Sequence, residues 1–124
     1  MKHCSEPYIV AAKAADTKKA IDTVIMLMKG LLEVTDVFVI TSGANSKQVK
    51  AIVEEIEKTV KDITGRKPDF IEGLRDCQWV LIDYGNFVVH VFDEPTRELY
   101  DLERLWLDAP RIDFESELVS LDKV

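Results

Sequence analysis

The sequence predicts a single α/β domain, with a mixed β-sheet of about four to five strands flanked by helices. Its 124 residues are 47% hydrophobic, enough for one domain that buries roughly two thirds of the surface its unfolded chain would expose. A central apolar strand, one strongly amphipathic helix and a β-hairpin follow each other in the chain. That order requires both a parallel crossover and antiparallel strand pairs.

The first element is predicted as a helix from Pro7 to about Lys29. Apolar residues recur through this segment with helical spacing, and Gly30 follows as a stop signal. Four charged residues interrupt the apolar run, which therefore resembles neither a signal peptide nor a membrane-spanning helix. They are Lys13, Asp16, Lys18 and Lys19. We expect no membrane segment.

A buried strand and a capped helix come next. The run DVFVIT, from Asp36 to Thr41, predicts a strand that is buried on both faces at the centre of the sheet. In the helix that follows, Asn45 is a good N-cap with Gln48 three residues on, and Gly65 suits a left-handed C-terminal residue. The predicted buried stripe of this helix is Val49, Ile52, Val53, Ile56, Val60 and Ile63.

The segment from Trp79 to Asp93 predicts a β-hairpin closed by the two-residue loop Gly85-Asn86. With that register, one face carries Val80, Ile82, Tyr84, Phe87, Val89 and Val91, and it is predicted to be core. The other face carries Trp79, Leu81, Asp83, Val88, His90 and Phe92. This face mixes aromatic rings with an imidazole and a carboxylate, so we expect function there. A cover of helices is the alternative.

Short elements complete the prediction. Pro68 precedes a short extended edge piece at 69–71. Pro95 is predicted to begin a third helix, whose apolar side would hold Leu99, Leu102, Leu105 and Trp106. We expect one domain over residues 1–110 and an acidic tail, extended or frayed, over residues 111–124.

The charge of the chain restricts its partners. Its net charge is −7, from 23 acidic and 16 basic residues, which disfavours binding to a phosphate backbone. Trp79 and Phe92 could stack on bases, but the carboxylates near them argue against RNA. These are Asp76, Asp83, Asp93 and Glu94. We therefore expect little or no direct RNA contact and a basic protein partner.

Two cysteines, Cys4 and Cys77, stand without a CxxC partner. A chain of this size needs no disulfide, so the cysteine content favours a reducing, cytoplasmic compartment.

Catalytic and metal-binding patterns are weak. The loop TSGANS, residues 41–46, precedes a helix and could hold an anion, but it lacks the phosphate-loop and dinucleotide patterns. A capped turn is the preferred interpretation. His3 and Cys4 could join His90 on a metal, and Asp83 could pair with His90 as acid and base. His3 and Cys4 lie at a terminus, and no nucleophile is evident near Asp83 and His90. We therefore expect no enzyme, no metal and no cofactor.

Three segments resemble the ribosomal silencing factor family, also called the Iojap-related family. They are IDYGNFVVHVFDEPTRELYDLERLWLDAP at 82–110, DVFVITSGANSKQVKAIVEEIE at 36–57 and GLRDCQWVLID at 73–83. Together with the order and spacing between them, they extend the resemblance over roughly Ala12 to Pro110. The tail from Arg111 onward lies outside it.

The resemblance implies a fold similar to the nucleotidyltransferase domain but without its catalytic acids. Lys47, Gln48 and Val49 stand after the Ser42-Gly43 turn, where such an enzyme would place metal-binding carboxylates. The resemblance further implies binding to ribosomal protein L fourteen at the intersubunit face of the large subunit. Bound there, the protein would obstruct joining of the small subunit and repress translation when nutrients are short.

We expect the partner surface to combine apolar anchors with an acidic rim, as protein interfaces commonly do. The predicted contacts are Trp79, Leu81, Asp83, Tyr84, His90, Glu98, Tyr100, Asp101, Leu102 and Trp106, with Glu94 and Glu103 also at the rim. Two alternatives stay open. One is nucleotide binding or a nucleotidyltransferase-like activity in the loop 41–46, and the other is a dimeric scaffold that self-associates through the hairpin face.

Overall fold

The structure is a computed structural model that describes residues 6–33 and 35–112. Its elements in chain order are α1 (Pro7–Thr17), β1 (Ile21–Leu27), β2 (Val37–Gly43), α2 (Ser46–Thr64), β3 (Phe70–Glu72), β4 (Trp79–Asp83), β5 (Phe87–Asp93), α3 (Glu94–Tyr100), α4 (Leu102–Leu105) and β6 (Arg111–Ile112). In the part of the chain that is described, no helix is long and apolar enough to cross a membrane.

The strands form one mixed sheet in the order β3-β4-β5-β2-β1-β6. β2 and β5 are parallel, and every other neighbouring pair is antiparallel. The predicted α/β class is confirmed, with six strands rather than four to five. β2 lies at the centre and is buried along its whole length, as its continuous apolar run predicts.

Helix α2 follows its sequence signals closely. The Asn45 side chain accepts a hydrogen bond from the Gln48 N–H at 2.9 Å, and Gly65 ends the helix in the left-handed region with φ of 77°. The buried stripe runs from Val49 to Val60. Ile63, predicted to continue it, lies in the last turn and is 57% exposed.

The prediction of one helix from Pro7 to about Lys29 is wrong. α1 ends at Thr17, and the chain turns through Lys19, which has a φ of 59°, into strand β1. The apolar residues on the two sides of this turn share a helical rhythm by coincidence. Most residues at the start of β1 are β-branched and favour a strand; they are Ile21, Thr23, Val24 and Ile25.

The hairpin has the predicted register. Trp79 lies opposite Phe92 and Leu81 opposite His90, while the Tyr84 N–H donates to the Phe87 carbonyl at 2.9 Å. The predicted core face packs with α1 and α2 in one large apolar cluster. This half of the hairpin prediction is confirmed.

The other hairpin face is not open. It contributes to a second, smaller core of buried residues, namely Met26, Met28, Phe38, Ile40, Val88, Phe92 and Ala109. Leu102 and Trp106 from the α4 region pack against this core, with Trp79 and Leu81 partly buried beside them. The helical cover that the sequence left as an alternative is therefore what this face carries, because its large aromatic rings gain more from burial than from solvent contact.

The predicted third helix is divided in two. Asp93 caps α3 by accepting from the Thr96 N–H at 2.9 Å, and Pro95 lies in the first turn. Asp101 then takes a left-handed conformation with φ of 46°, which a helix interior cannot contain, and α4 starts after it. Leu99 and Leu105, predicted to face the core, are exposed.

The sheet reaches past residue 110, because Arg111 and Ile112 pair with β1 as β6. Residues 113–124, which make up most of the predicted acidic tail, lie outside the described residues.

Candidate protein interface

A group of aromatic side chains surrounds Trp79 at the start of the hairpin. The indole stacks on Phe92 with ring centroids 5.0 Å apart, and Tyr100 of α3 contacts it at 4.7 Å. Its Nε1 donates a hydrogen bond to Nδ1 of His90 at 3.1 Å. Trp79 keeps part of its surface exposed, so it lies at the border between the second core and α3.

His90 is a buried partner of Trp79 rather than a surface residue. It is 4% exposed and packs edge-to-face on Phe38, with ring centroids 4.6 Å apart. Burial lowers the pKa of His90 to about 4, so the ring is neutral at pH 7. Because Nδ1 accepts from the indole, the proton is on Nε2, which is buried without a hydrogen-bond partner among the described residues. The prediction that His90 contacts a partner is wrong.

Asp83 forms no acid and base pair with His90. Its carboxylate accepts from the Gly85 N–H at 2.7 Å, within the hairpin turn. In the strand register it lies opposite Val88, whereas His90 lies opposite Leu81. The carboxylate therefore stabilises the turn.

The prediction that Tyr84 contacts a partner is also wrong. Tyr84 is 1% exposed and stacks on Phe87, with ring centroids 4.6 Å apart. Burial raises the pKa of Tyr84 to about 12, with a smaller contribution from Glu57. Strand alternation points the ring into the main core, and its hydroxyl is buried there.

Arg97 holds α3 on the sheet, and the sequence reasoning missed it. Its Nη1 donates to Ser42 Oγ at 2.7 Å and to the Ile21 carbonyl at 3.0 Å. Its Nη2 donates to the Asp22 carbonyl at 2.7 Å, and its Nε pairs with Glu103 at 3.0 Å. A signal exists, since Arg97 is the one basic residue in the run EPTRELYDLE. Five fixed donors make arginine well suited to join several acceptors.

Four exposed apolar residues lie close together in the chain, on α3, on α4 and in the turn after α4. We call this group the leucine surface, and it consists of Leu99, Tyr100, Leu105 and Leu107, which are 77%, 53%, 68% and 72% exposed. Large apolar groups concentrated in one exposed region are typical of interaction sites. Of these four, the predicted contact set contains Tyr100 alone. Leu99 and Leu105 were missed because helical spacing assigned them to a core.

Carboxylates surround a cleft beside the leucine surface. The cleft has a volume of about 570 Å³, and its acidic lining comprises Asp16, Asp22, Glu94, Glu98, Asp101 and Glu103, with Arg97 and Arg111 as the cations. The predicted rim residues of α3 and α4 therefore lie together. Asp83 does not join them, because it lies at the opposite end of β4 from Trp79, roughly 13 Å along the strand.

Three further predicted contacts, Leu81, Leu102 and Trp106, are partly buried against the second core. Leu102 and Trp106 belong to the same chain region as the leucine surface. They are neighbours of Leu105 and Leu107 in the chain, whereas Leu81 belongs to strand β4.

The loop 41–46 is a capped turn, as preferred from the sequence. The Ala44 N–H donates to Gln48 Oε1 at 2.6 Å, and the Gln48 N–H donates to Asn45 Oδ1. Among residues 6–33 and 35–112, no group of three or more His, Cys, Asp or Glu side chains is placed to hold a metal ion. His3 and Cys4 lie outside those residues.

Residues 2–123 match the family described as ribosomal silencing factor during starvation. The match extends beyond Pro110, where the resemblance seen in the sequence stops. A curated relative named Ribosomal silencing factor RsfS from Halalkalibacterium halodurans is 42% identical over 106 residues, which cover 86% of this chain and 90% of the relative. The protein of the same name from Bacillus subtilis is 43% identical over 106 residues, covering 86% of this chain and 89% of the relative.

More distant proteins agree with this family. A mouse protein named Mitochondrial assembly of ribosomal large subunit protein 1 is 33% identical over 91 residues, covering 72% of this chain and 40% of that protein. A crystal structure of a Chromobacterium violaceum protein superimposes with a TM-score of 0.78 at 30% identity, covering 82% of this chain and 83% of that one. The α/β fold described above is therefore shared with a solved structure.

Proposed function

The chain belongs to the ribosomal silencing factor family, and on that premise we propose that it binds the large ribosomal subunit through ribosomal protein L fourteen. Bound there, it blocks joining of the small subunit. The consequence is repression of translation in the cytoplasm under nutrient limitation.

The observation that carries this proposal is the leucine surface beside the acidic cleft. The leucine surface supplies exposed apolar groups, and the cleft adds six carboxylates against two cations. Protein interfaces commonly have an apolar centre and a polar rim. A basic ribosomal protein is the partner whose charge complements this rim.

The contact set differs in part from the one that the sequence predicts. Its apolar centre is the leucine surface, supported by the exposed parts of Trp79, Leu102 and Trp106. Its rim is formed by Glu98 and Asp101 at the cleft. Tyr84 and His90 leave the set because both side chains are buried.

The proposed mechanism is steric. A domain of this length has a radius of gyration of about 14 Å, so it is a body large enough to occupy space between two subunits. Exclusion requires a firm attachment and no reacting group, and the proposal therefore gives no residue a catalytic role.

Co-sedimentation with purified ribosomal subunits tests this proposal. We expect the protein to move with large subunits and not with small ones in sucrose gradients. When both subunits are mixed under joining conditions, the fraction of joined ribosomes should fall as the protein is added. Co-sedimentation with small subunits alone, or an unchanged joined fraction despite large-subunit binding, would refute it.

Self-association through the leucine surface is the competing use of the same groups. Sedimentation velocity at several concentrations separates the two. If a dimer buries this surface, dilution should increase the fraction of chains that bind large subunits. Binding that is independent of dilution would assign the surface to the ribosome alone.

A further inference from the structure

We propose that a second cleft, between α3 and the loop that precedes β4, binds the guanidinium of an arginine side chain from the protein partner. This inference rests on the proposed function and deepens it. It concerns a site outside the acidic cleft described above. We call it the Trp79 cleft.

The Trp79 cleft has a volume of about 170 Å³. Its lining residues are Gly73, Asp76, Gln78, Trp79, Thr96 and Tyr100. One wall therefore comes from the loop before β4 and the other from α3, with the aromatic rings of Trp79 and Tyr100 in contact at the junction. Tyr100 also belongs to the leucine surface, so the cleft opens at the edge of the proposed interface.

Backbone contacts fix the loop wall. Gly73 has a φ of 92°, and a Cβ atom at this residue would lie 2.0 Å from the Trp79 carbonyl oxygen, so the close approach depends on glycine. The Cys77 N–H donates to the Gly73 carbonyl at 3.0 Å. The loop therefore holds one shape against the strand.

Asp93 joins this wall to the helix. Its N–H donates to the Gln78 carbonyl at 2.9 Å, and its carboxylate accepts from the Thr96 N–H. The same residue thus orders both sides of the cleft. A cleft that is ordered before binding loses less free energy when a partner side chain enters it.

The chemistry of the lining favours a flat cation. No Lys, Arg or His lines the cleft, whereas Asp76 offers a carboxylate and Gln78 an amide oxygen. The indole N–H of Trp79 already donates to His90, so it is not a free donor for a ligand, and the aromatic residues of the lining are Trp79 and Tyr100. A guanidinium can stack on aromatic rings while its N–H groups pair with a carboxylate, which the smaller ammonium of lysine does less well.

The expected strength follows from these two contacts. A cation on an aromatic ring at an exposed site corresponds to about two- to fivefold in affinity. An exposed ion pair gives a similar or smaller factor. Arginine is also enriched among the residues that dominate binding at protein interfaces.

A first experiment tests the cleft without the ribosome. Argininamide is titrated into the ¹⁵N-labelled protein, and citrullinamide, its neutral isostere, serves as the matched ligand. We expect the indole N–H signal of Trp79 to shift with argininamide in a saturable way and to stay unmoved with citrullinamide. Trp106, the other of the two tryptophans, lies outside the lining and is the internal reference. Asp76→Asn should weaken the response about two- to fivefold.

A second experiment tests the source of the guanidinium. Asp76→Asn should lower affinity for large ribosomal subunits by about two- to fivefold, whereas Asp62→Asn, the same change at an exposed site on α2, should leave it unchanged. No Trp79 shift, or equal shifts with both ligands, would overturn the cleft. Unchanged subunit affinity in Asp76→Asn would overturn the assignment to the partner. If the unsubstituted protein fails to bind subunits, the proposed function fails, while the titration still decides the chemistry of the cleft.

Discussion

Acidification should destabilise the protein through His90, and the structure sets the size of the effect. Burial lowers the pKa of this ring from 6.5 to about 4. As the pH falls below 6.5, His90 therefore binds a proton in the unfolded chain but stays neutral in the folded chain. The contribution of neutral His90 to the free energy of unfolding is fully present above pH 6.5 and is lost as the pH falls towards 4. At 1.36 kcal/mol per pH unit, the full loss is roughly 3 kcal/mol.

Urea unfolding at pH 7, 6 and 5 measures this loss before most carboxylates titrate. Between pH 7 and pH 5 we expect a decrease of about 2 kcal/mol in the free energy of unfolding. The matched variant is His90→Gln, whose amide oxygen can still accept from the Trp79 indole but does not titrate. Its stability should be nearly flat over this range. The reasoning is refuted if the unsubstituted protein and the variant lose the same amount.

Three other outcomes follow from the structure. Gly73→Ala should cost about 3 kcal/mol or more of unfolding free energy, because its Cβ would meet the Trp79 carbonyl. The control is Gly30→Ala, with φ of 88° and open space around it, which should cost about 1–2 kcal/mol. Equal costs of the two substitutions in urea titrations would argue against the close approach of Gly73 to the Trp79 carbonyl. Raising the ionic strength should slow association with large subunits in stopped-flow experiments, since exposed charges are screened over about 8 Å at physiological salt. An association rate that does not depend on salt would contradict a role of the acidic rim in binding. ATP with Mg²⁺ should not raise the melting temperature, whereas a ligand at one hundred times its dissociation constant would add about 2.7 kcal/mol.

Local signals in the sequence predict much of this fold. The two-residue loop fixes the hairpin register, because alternation along paired strands then determines every opposite pair. Asn45 and Gly65 mark the two ends of α2 because each forms a hydrogen bond with a backbone group of the nearest helical turn. Such features depend on neighbours in the chain and can be predicted without knowing the tertiary structure.

Features that depend on distant contacts could not be predicted in this way. β1 has an apolar rhythm that fits a helix, and it becomes a strand by pairing with β2 and β6. Leu99 and Leu105 have the spacing of a buried stripe, yet the left-handed Asp101 divides their helix and leaves both exposed. The guanidinium of Arg97 fixes this arrangement through β1 and β2, far away in the sequence.

The candidate surface was therefore predicted in its chemistry and only partly in its residues. The sequence predicts apolar anchors beside carboxylates, and α3 and α4 carry both. Tyr84 was misplaced in the contact set, since strand alternation assigns it to the core, and it lies there. His90 was misplaced because a polar ring on an aromatic face can be buried when an indole N–H supplies its partner.

The central claim is that the leucine surface attaches this protein where the small subunit must dock. A subunit-joining assay with Leu99→Asp combined with Leu105→Asp tests it most directly, with Ile63→Asp on α2 as the matched change at another exposed apolar residue. We expect the double variant to need at least about tenfold more protein to prevent joining, because interface anchors are each worth more than about 1 kcal/mol. Ile63→Asp should act like the unsubstituted protein. A folded double variant that prevents joining at the original concentration would contradict the account.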